Sequence, residues 1–385
     1  MSSIYIHIPF CKQACIYCDF HFSTQTNYVD DFVKALVQEI HLRKDYLQNR
    51  NIETVYFGGG TPSIISSDHL FRIIEALHHV YKISSTAEIT LEANPDDVTE
   101  QKLRDWIAVG VNRLSIGTQS FDENDLQLLH RAHNASQAEY CIKQAQDKGI
   151  TNISIDLIYG LPNSTLQTWD ANLRKFIAFQ IPHLSAYCLT VEPKTVLAHR
   201  VKNNLTQLPT DEKAAAQFIH LLDFCEHNNI IQYEISNFCR PGFISKHNSN
   251  YWKNKEYIGL GPSAHSYSGT SRQWNVSNNH LYIKSVVLGK LDFEKEKLAK
   301  NDLFNEYVMT SLRTMWGVDR NYIVSQFGNE YESHFAEGIA PFVEGKNVLV
   351  KENNYTLTRT GKLIADKIAS DLFFTKHENG KYNQV

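Results

Sequence analysis

Residues 4–20 of the chain read IYIHIPFCKQACIYCDF, a short apolar segment followed at once by three cysteines. The segment at residues 4–8 predicts a β-strand that begins close to the amino terminus. Cys11, Cys15 and Cys18 follow it within one loop, with the spacing Cys-x3-Cys-x2-Cys. Three thiolates on so short a loop are a set of soft metal ligands. The stretch therefore predicts a metal centre just after the first strand.

The number of cysteines indicates which kind of metal centre this is. A structural zinc ion usually has four ligands, often from two paired Cys-x2-Cys segments, and no second pair follows in the sequence. Three cysteines can instead ligate three irons of a [4Fe–4S] cluster and leave the fourth iron without a protein ligand. We favour the cluster, with a zinc site or a structural group of cysteines as the alternative.

Length and composition limit the class of protein. The 385 residues are 42% hydrophobic and 21% charged, which is typical of a globular chain with a sizeable core. The net charge of −4 argues against a nucleic-acid binder that depends on a general basic field. Seven cysteines, an odd number, indicate free thiols in a reducing compartment, and we expect the cytoplasm. The sequence contains no predicted transmembrane segment and no predicted signal peptide.

The first two-thirds of the chain alternates strand and helix patterns. Such βα units predict a parallel sheet with right-handed crossovers. From residue 302 onward the pattern changes to helices, a hairpin at Val348–Lys351 and 355–357, and a helix at 361–373. We therefore expect an α/β fold, a partial (β/α)6 TIM-like barrel with a C-terminal helical, winged-helix-like module.

Several polar or glycine-rich segments follow predicted strands or lie within them. In parallel βα architectures the site lies at the carboxyl ends of the strands, so these segments should meet at one rim. Residues 58–62, GGGTP, can bring bare backbone close to a ligand. Glu92 and Asp156 suit ribose hydroxyls or an ammonium group. Gln119 suits a carboxylate or a hydroxyl, and Arg131 offers a forked donor for a carboxylate. Together they predict a pocket for a zwitterionic, nucleoside-containing ligand beside a reducible cluster.

These motifs resemble those of the radical S-adenosylmethionine (SAM) superfamily, in which CxxxCxxC and GGGTP elements occur together. The resemblance implies that the amino and carboxylate groups of SAM chelate the open iron of the cluster. It also implies that an electron from the cluster can cleave SAM to methionine and a 5′-deoxyadenosyl radical. Carried over by motif position, the SAM contacts would be Tyr5, Tyr17, Gly59, Gly60, Thr61, Glu92, Gln119, Arg131 and Asp156.

Nearly the whole chain is similar to the coproporphyrinogen III oxidase-like branch of that superfamily. The segments that carry this similarity are YIHIPFC at 5–11, FGGGTP at 57–62, LEANP at 91–95, SIGTQSF at 115–121 and IDLIYGLP at 155–162. The oxidase itself has a long segment before the cluster and a fourth cysteine two residues after the third, where this chain has Phe20. The chain also contains HNSNYW at 247–252, which resembles the HNxxYW signature of the haem chaperones that share the fold.

The resemblance therefore implies a haem chaperone that retains the [4Fe–4S] cluster and the SAM site. It would hold haem near His247 and deliver it to apo-haem proteins, in the family to respiratory ones. A neutral imidazole can ligate haem iron, whereas the alternative is an ordinary core or surface histidine among the 17 in the chain. A homodimer is a further expectation from the resemblance, and nucleic acid is not an expected partner.

Two enzymatic alternatives remain open, so the sequence does not decide whether SAM is cleaved in function. The first is an oxygen-independent coproporphyrinogen III dehydrogenase, which converts two propionate side chains to vinyl groups in porphyrin biosynthesis. The second is an unrelated radical SAM enzyme. Phe20 and the HNxxYW element favour the chaperone over the dehydrogenase.

The resemblance also suggests how the chain is divided. We expect a radical SAM core barrel at residues 1–240 and a haem-motif and connecting region at residues 241–300. The C-terminal helical, winged-helix-like domain would occupy residues 301–385.

Overall fold

The barrel wall consists of parallel strands that pair in the order of the chain. The structure is a computed structural model that describes residues 1–375. Neighbouring strands are hydrogen-bonded to one another in sequence order. They are β1 (Ser2–Ile8), β2 (Asn51–Gly59), β3 (Lys82–Ala93), β4 (Arg113–Gln119), β5 (Ile153–Tyr159) and β6 (His183–Cys188). The predicted α/β fold with a partial (β/α)6 arrangement is confirmed.

Helices join these strands and pack on the outside of the sheet. Their apolar faces cover the outer side of the barrel wall, as Phe32 and Leu36 do beside Ile4 and Ile6 in one continuous core. Ser66 caps one helix by accepting a hydrogen bond from the backbone nitrogen of His69 over 3.1 Å. The helices are α1 (Val29–Leu42), α2 (Ser67–Val80), α3 (Glu100–Ala108), α4 (Glu123–Leu128), α5 (Ala135–Asp147), α6 (Leu166–Ala178), α7 (Val196–Lys202) and α8 (Asp211–His227).

The barrel stays open, and its sheet continues on both sides. Antiparallel strands β7 (Ile231–Glu234) and β8 (Asn237–Cys239) extend it beyond β6. On the other side, a strand from the HNxxYW region pairs in parallel with β1 and leads to three antiparallel strands. These elements are α9 (Lys246–Trp252), β9 (Tyr257–Leu260), β10 (His265–Tyr267), β11 (Ser271–Asn275), α10 (Asn279–Val287) and β12 (Phe293–Lys297). Every residue of the edge strand β12 is exposed.

Side chains of the parallel strands alternate between the outer core and the barrel interior. On β3, Ile89 and Leu91 belong to the outer core, so Glu88, Thr90 and Glu92 face inward. TIM barrels usually fill the interior with branched aliphatic side chains. The polar residues at these inward positions make the interior suited to a polar ligand rather than to core packing.

The C-terminal helices and a three-stranded sheet form a second hydrophobic cluster, around Phe304 and Phe335. The predicted helix at residues 361–373 is instead two short helices separated at Ile364, whose φ of −123° is not helical. Gly361 holds the first helix so close to Asn347 that a Cβ would meet its carbonyl oxygen, whereas the second helix turns its buried side toward the core. The elements are α11 (Lys300–Leu312), β13 (Val318–Asp319), α12 (Arg320–Phe327), α13 (Asn329–Glu344), β14 (Val348–Lys351), β15 (Asn354–Leu357), α14 (Arg359–Leu363) and α15 (Ala365–Asp371).

The predicted division at residues 240 and 300 stays a prediction. The strands between those positions belong to the same sheet as the barrel wall. The last ten residues of the predicted C-terminal domain, 376–385, lie outside the described residues.

A buried ion pair at the C-terminal end of α1 ties the added strands to the barrel. Glu39 and Arg43 are 0% and 3% exposed, and Nη1 of Arg43 lies 3.5 Å from Oε1 of Glu39. Glu39 accepts hydrogen bonds from the backbone nitrogen of Gly261 over 2.7 Å and from the hydroxyl of Tyr282 over 2.6 Å. Arg43 donates to the carbonyl oxygen of Gly259 over 2.8 Å. The pair therefore fixes β9 and α10 against α1.

Removing one partner of this pair should be strongly destabilising, because it leaves the other charge buried and unpaired. We expect Glu39→Ala to lower the free energy of unfolding by about 3–5 kcal/mol. Glu75→Ala, at an exposed position on α2, is the matched control and should change it by less than about 0.5 kcal/mol. Urea unfolding followed by tryptophan fluorescence measures both. Equal effects of the two substitutions would contradict the role of the pair.

Candidate functional site

The three cysteines lie in a loop after β1 that backbone hydrogen bonds hold in shape. The backbone nitrogen of Cys11 donates to the carbonyl oxygen of Ser23 over 3.0 Å, and that of Ser23 donates to Pro9 over 2.8 Å. The backbone nitrogen of Cys18 donates to the carbonyl oxygen of Cys15 over 3.4 Å. All three cysteine residues are partly exposed. The loop thus presents three accessible sulfur ligands from a fixed backbone.

The environment of these thiols influences their ionisation. Burial raises the pKa of Cys11 to about 11, while Thr61 lowers it and the other two cysteines raise it. Burial also raises the pKa of Cys18. The hydroxyl of Thr61 donates to Sγ of Cys11 over 3.4 Å, and Nη1 of Arg131 donates to Sγ of Cys15 over 3.2 Å. The hydrogen bond from Thr61 favours the thiolate form of Cys11, which is the form that ligates iron.

The three cysteines supply the donors that a [4Fe–4S] cluster needs, with one thiolate for each of three irons. Within residues 1–375, no three His, Cys, Asp or Glu side chains converge on one point as the ligands of one metal ion do. The thiolates of a [4Fe–4S] cluster bind different irons and can lie farther apart.

The GGGTP turn after β2 packs directly on the cysteine loop. The backbone nitrogen of Thr61 donates to the carbonyl oxygen of Phe10 over 2.7 Å. A Cβ on Gly60 would lie 2.7 Å from that oxygen and 3.0 Å from Sγ of Cys11. Gly59 has a φ of 111°, which side chains other than that of glycine rarely tolerate. The turn therefore needs its glycines to approach the loop this closely.

The segment after β4 lies against the same loop. Arg131 contacts Tyr17 in that loop and donates from Nη2 to the carbonyl oxygen of Gly117 over 2.9 Å and to Oδ1 of Asn94 over 2.6 Å. Its Nε is buried without a hydrogen-bond partner in the described part of the chain. Gln119 ends β4 with a φ of 64°, a conformation that for this residue type often marks a functional site.

A cavity of about 210 Å3 occupies the barrel interior beside this rim. The predicted SAM contacts Tyr5, Glu92 and Asp156 line it, together with His247. A larger cavity of about 460 Å3 lies outside the barrel between α2 and α3, and none of the predicted site residues lines it. The interior cavity is therefore the candidate site, since it alone of these two contains the predicted chemistry.

The two acids in the cavity have pKa values close to neutral pH. Burial raises the pKa of Glu92 to about 7 and that of Asp156 to about 6. The hydroxyl of Tyr56 donates to Oε1 of Glu92 over 2.7 Å and so favours the ionised form. Arg113 also lowers the pKa of both acids. Near pH 7 each acid can therefore change its protonation state with its surroundings.

The HNxxYW segment forms α9, which closes the amino-terminal end of the barrel. The backbone nitrogens of Lys246 and His247 donate to the carboxylate of Glu88 over 3.1 and 3.0 Å. A carboxylate at a helix N-terminus is stabilising. The side-chain amide of Asn250 donates to the hydroxyl of Ser3, at the start of β1, over 2.9 Å. These contacts place α9 opposite the end that carries the cysteine loop.

The side chain of His247 lies on the floor of the cavity and is 2% exposed. Its Nδ1 is hydrogen-bonded to the hydroxyl of Thr54 at 2.7 Å and its Nε2 to the hydroxyl of Tyr251 at 2.9 Å. The ring stacks on Tyr56 with centroids 4.9 Å apart. Burial lowers the pKa of His247 to about 3, and Arg113 contributes. The imidazole is therefore neutral at physiological pH, and both of its nitrogens are engaged.

The structure gathers the cysteines, the GGGTP turn, Tyr17, Gln119 and Arg131 at one end of the barrel, with His247 at the other. Tyr56 joins the two ends, because it contacts both Glu92 and His247. Sequence reasoning missed Tyr56, Arg113 and Glu88. The alternation of polar and apolar residues in segments such as EITLE at 88–92 was the available signal, since buried parallel strands usually read as continuous apolar runs.

Comparison with known sequences places the chain among named relatives. The family model of the radical SAM superfamily matches residues 5–176. The heme chaperone HemW of Bacillus subtilis (strain 168) is 33% identical over 371 residues, which are 96% of this chain and 98% of that protein. The heme chaperone HemW of Escherichia coli (strain K12) is 37% identical over 265 residues, which are 68% of this chain and 69% of that protein.

A solved structure shares the fold. The coproporphyrinogen III oxidase HemN from Escherichia coli, a radical SAM enzyme, superimposes with a TM-score of 0.84 at 24% identity, covering 96% of this chain and 89% of that chain. This likeness shows a radical SAM α/β fold. The sequence similarity to a HemW protein over nearly the full length identifies the family more closely. The chain belongs to the HemW heme chaperone family within the radical SAM superfamily.

Proposed function

We propose that the chain is a haem chaperone, which binds haem and transfers it to apo-haem proteins while carrying a [4Fe–4S] cluster and SAM. Similarity to a heme chaperone over 96% of the chain supports this function. In the structure, the supporting observation is a single cavity that is lined by residues of both the proposed SAM site and the proposed haem site. Helix α9, which contains the HNxxYW element, supplies the floor of a cavity that three of the predicted SAM contacts, Tyr5, Glu92 and Asp156, also line.

Cys11, Cys15 and Cys18 are the proposed ligands of the cluster. When bound, the cluster supplies an iron without a protein ligand, at which SAM can be chelated. The chain itself holds the sulfur atoms. Thr61 donates a hydrogen bond to Sγ of Cys11 and so reduces the cost of ionising a thiol whose pKa burial raises, and Arg131 donates one to Sγ of Cys15.

The same end of the barrel is the proposed SAM site. Gly59, Gly60 and Thr61 present backbone groups, while Tyr5 and Tyr17 contribute aromatic side chains. Arg131 carries a guanidinium nitrogen that has no partner in the described residues and is available to a carboxylate. Glu92, Gln119 and Asp156 are the proposed acceptors for hydroxyl or ammonium groups.

His247 is the proposed ligand of the haem iron. Its imidazole is neutral, as ligation requires, and its Nε2 would have to exchange the hydroxyl of Tyr251 for iron. The cavity of about 210 Å3 is smaller than the roughly 300–1,000 Å3 of sites for drug-sized ligands. A bound macrocycle therefore requires a wider cavity, which movement of α9 would provide because α9 forms its floor.

The proposed setting of this activity is the cytoplasm, with respiratory apo-haem proteins as recipients and a homodimer as the working form. All seven cysteines are free thiols, which supports a reducing compartment. Among residues 1–375, no helix combines the length and apolar character needed to cross a membrane.

SAM affinity should depend on pH through Glu92 and Asp156. A carboxylate accepts hydrogen bonds more strongly when ionised, and the pKa values of about 7 and 6 place that ionisation between pH 5.5 and pH 8. We expect the affinity of the cluster-loaded protein for SAM to fall roughly five- to tenfold from pH 8 to pH 5.5. Anaerobic equilibrium dialysis measures this change.

Glu92→Gln should weaken binding at pH 8 and make little difference at pH 5.5, where Glu92 is already neutral. Glu75→Gln, on the exposed face of α2, is the control and should follow the wild-type profile. An unchanged pH profile in the Glu92→Gln variant would rule out this carboxylate as a SAM contact.

Haem titrations followed by absorption spectroscopy test His247. His247→Ala should abolish the imidazole-ligated spectrum and weaken binding by at least the roughly 10- to 100-fold that loss of an outer ligand partner costs. Tyr251→Phe frees Nε2 and should bind haem as well as wild type or better. His79→Ala, at an exposed position on α2, is the control. A wild-type spectrum from His247→Ala would exclude this ligand.

Haem transfer and porphyrinogen turnover distinguish the chaperone from the dehydrogenase. Haem-loaded protein should pass haem to the apo-form of a respiratory b-type cytochrome. Given SAM, a reductant and coproporphyrinogen III without oxygen, it should yield no protoporphyrinogen, because Phe20 stands where the oxidase has its fourth cysteine. Absorption spectroscopy measures the first reaction and porphyrin fluorescence the second. Robust turnover without haem transfer would establish the dehydrogenase instead.

A further inference from the structure

Arg113 is a buried cation that faces the interior cavity without a matching anion. It begins β4, is 2% exposed and lines the cavity. Its Nε is buried and has no hydrogen-bond partner among the described residues. Thr90 occupies the paired position on β3, and its hydroxyl is likewise buried without a partner in residues 1–375. Two buried polar groups without partners in the described residues therefore lie on neighbouring strands, and Arg113 is the one that lines the cavity.

The acids in the cavity act on this cation only at a distance. Glu92 and Asp156 influence Arg113 across the cavity, but no hydrogen bond or ion pair joins either of them to it in the described part of the chain. An unpaired buried charge is costly, and a native protein that maintains one usually has a partner for it. The guanidinium therefore has no direct contact with an acid in the described residues and can pair with an anion that enters the cavity.

The surroundings indicate the charge and size of that anion. Glu92 and Asp156 in the same cavity oppose a doubly charged group such as a phosphate, whereas a single carboxylate leaves less repulsion. A guanidinium fork matches the two oxygens of a carboxylate. The cavity volume of about 210 Å3 admits a short side arm but not a macrocycle.

We propose that Arg113 is a carboxylate-binding site inside the barrel that receives a propionate group of haem. The identity of the ligand rests on the proposed function. Because His247 lines the same cavity, a propionate held at Arg113 would fix the orientation of the macrocycle relative to that imidazole. The protein thereby recognises haem by a propionate group at Arg113 as well as by its iron at His247.

Haem and its dimethyl ester, which lacks the two charges, provide the test. Titrations use the cluster-loaded protein as wild type, Arg113→Gln, Arg113→Lys and the control Arg104→Gln, at an exposed position on α3. We expect wild type and the control to prefer haem over the ester by roughly ten- to a hundredfold. Arg113→Gln should lose the preference, and Arg113→Lys should keep part of it.

Either of two results overturns the site: a wild-type protein without the preference, or an Arg113→Gln variant that retains it. The wild-type comparison of acid and ester does not depend on how any variant folds.

A haem-free measurement separates this site from the proposed function. Ligand that binds the folded state raises the midpoint of thermal unfolding. Sodium propionate should therefore raise that midpoint in wild type and not in Arg113→Gln, relative to sodium chloride at equal ionic strength. If haem does not bind, the chaperone function fails while a propionate effect still supports the carboxylate site. Equal midpoints in propionate and chloride for wild type would overturn the site.

Discussion

Polar side chains enclosed by parallel strands impose the constraint on which the rest of the structure depends. Each buried polar group needs a partner, because leaving it unpaired costs free energy. Glu88 obtains its partners from the first backbone nitrogens of α9, and Glu92 obtains one from Tyr56. Arg113 and Thr90 retain atoms without partners in residues 1–375. One requirement thus accounts both for the position of α9 and for the place where the proposed ligand enters.

The two proposed binding functions meet through a single side chain. The ring of Tyr56 stacks on His247 at 4.9 Å, and its hydroxyl donates to Glu92 over 2.7 Å. A change in the charge or contacts of Glu92 therefore reaches the imidazole without passing through a long chain of residues. If bound SAM changes the affinity for haem through these contacts, bound haem must change the affinity for SAM by the same factor.

Local sequence patterns predict much of this fold. The features that they do not predict depend on contacts between residues far apart in the chain. The alternation of strands and helices and the cysteine and GGGTP loops are readable because each is set by neighbouring residues. The pairing of β9 with β1 joins segments about 250 residues apart and leaves no local trace. The burial of His247 likewise depends on Thr54 and Glu88 from distant strands. The break at Ile364 reflects two packing partners, the strand beside Gly361 and the C-terminal core.

An incomplete ring of strands leaves an edge strand at each end of the sheet. β12 forms one edge of the sheet, and its sequence FEKEK places two glutamates on one face and two lysines on the other. Unpaired backbone groups at an edge invite a strand from another molecule, and charged residues, lysine in particular, make such pairing unfavourable. The charges of β12 therefore disfavour the growth of intermolecular sheets. The barrel can then stay open for the exchange of haem, a large hydrophobic cargo.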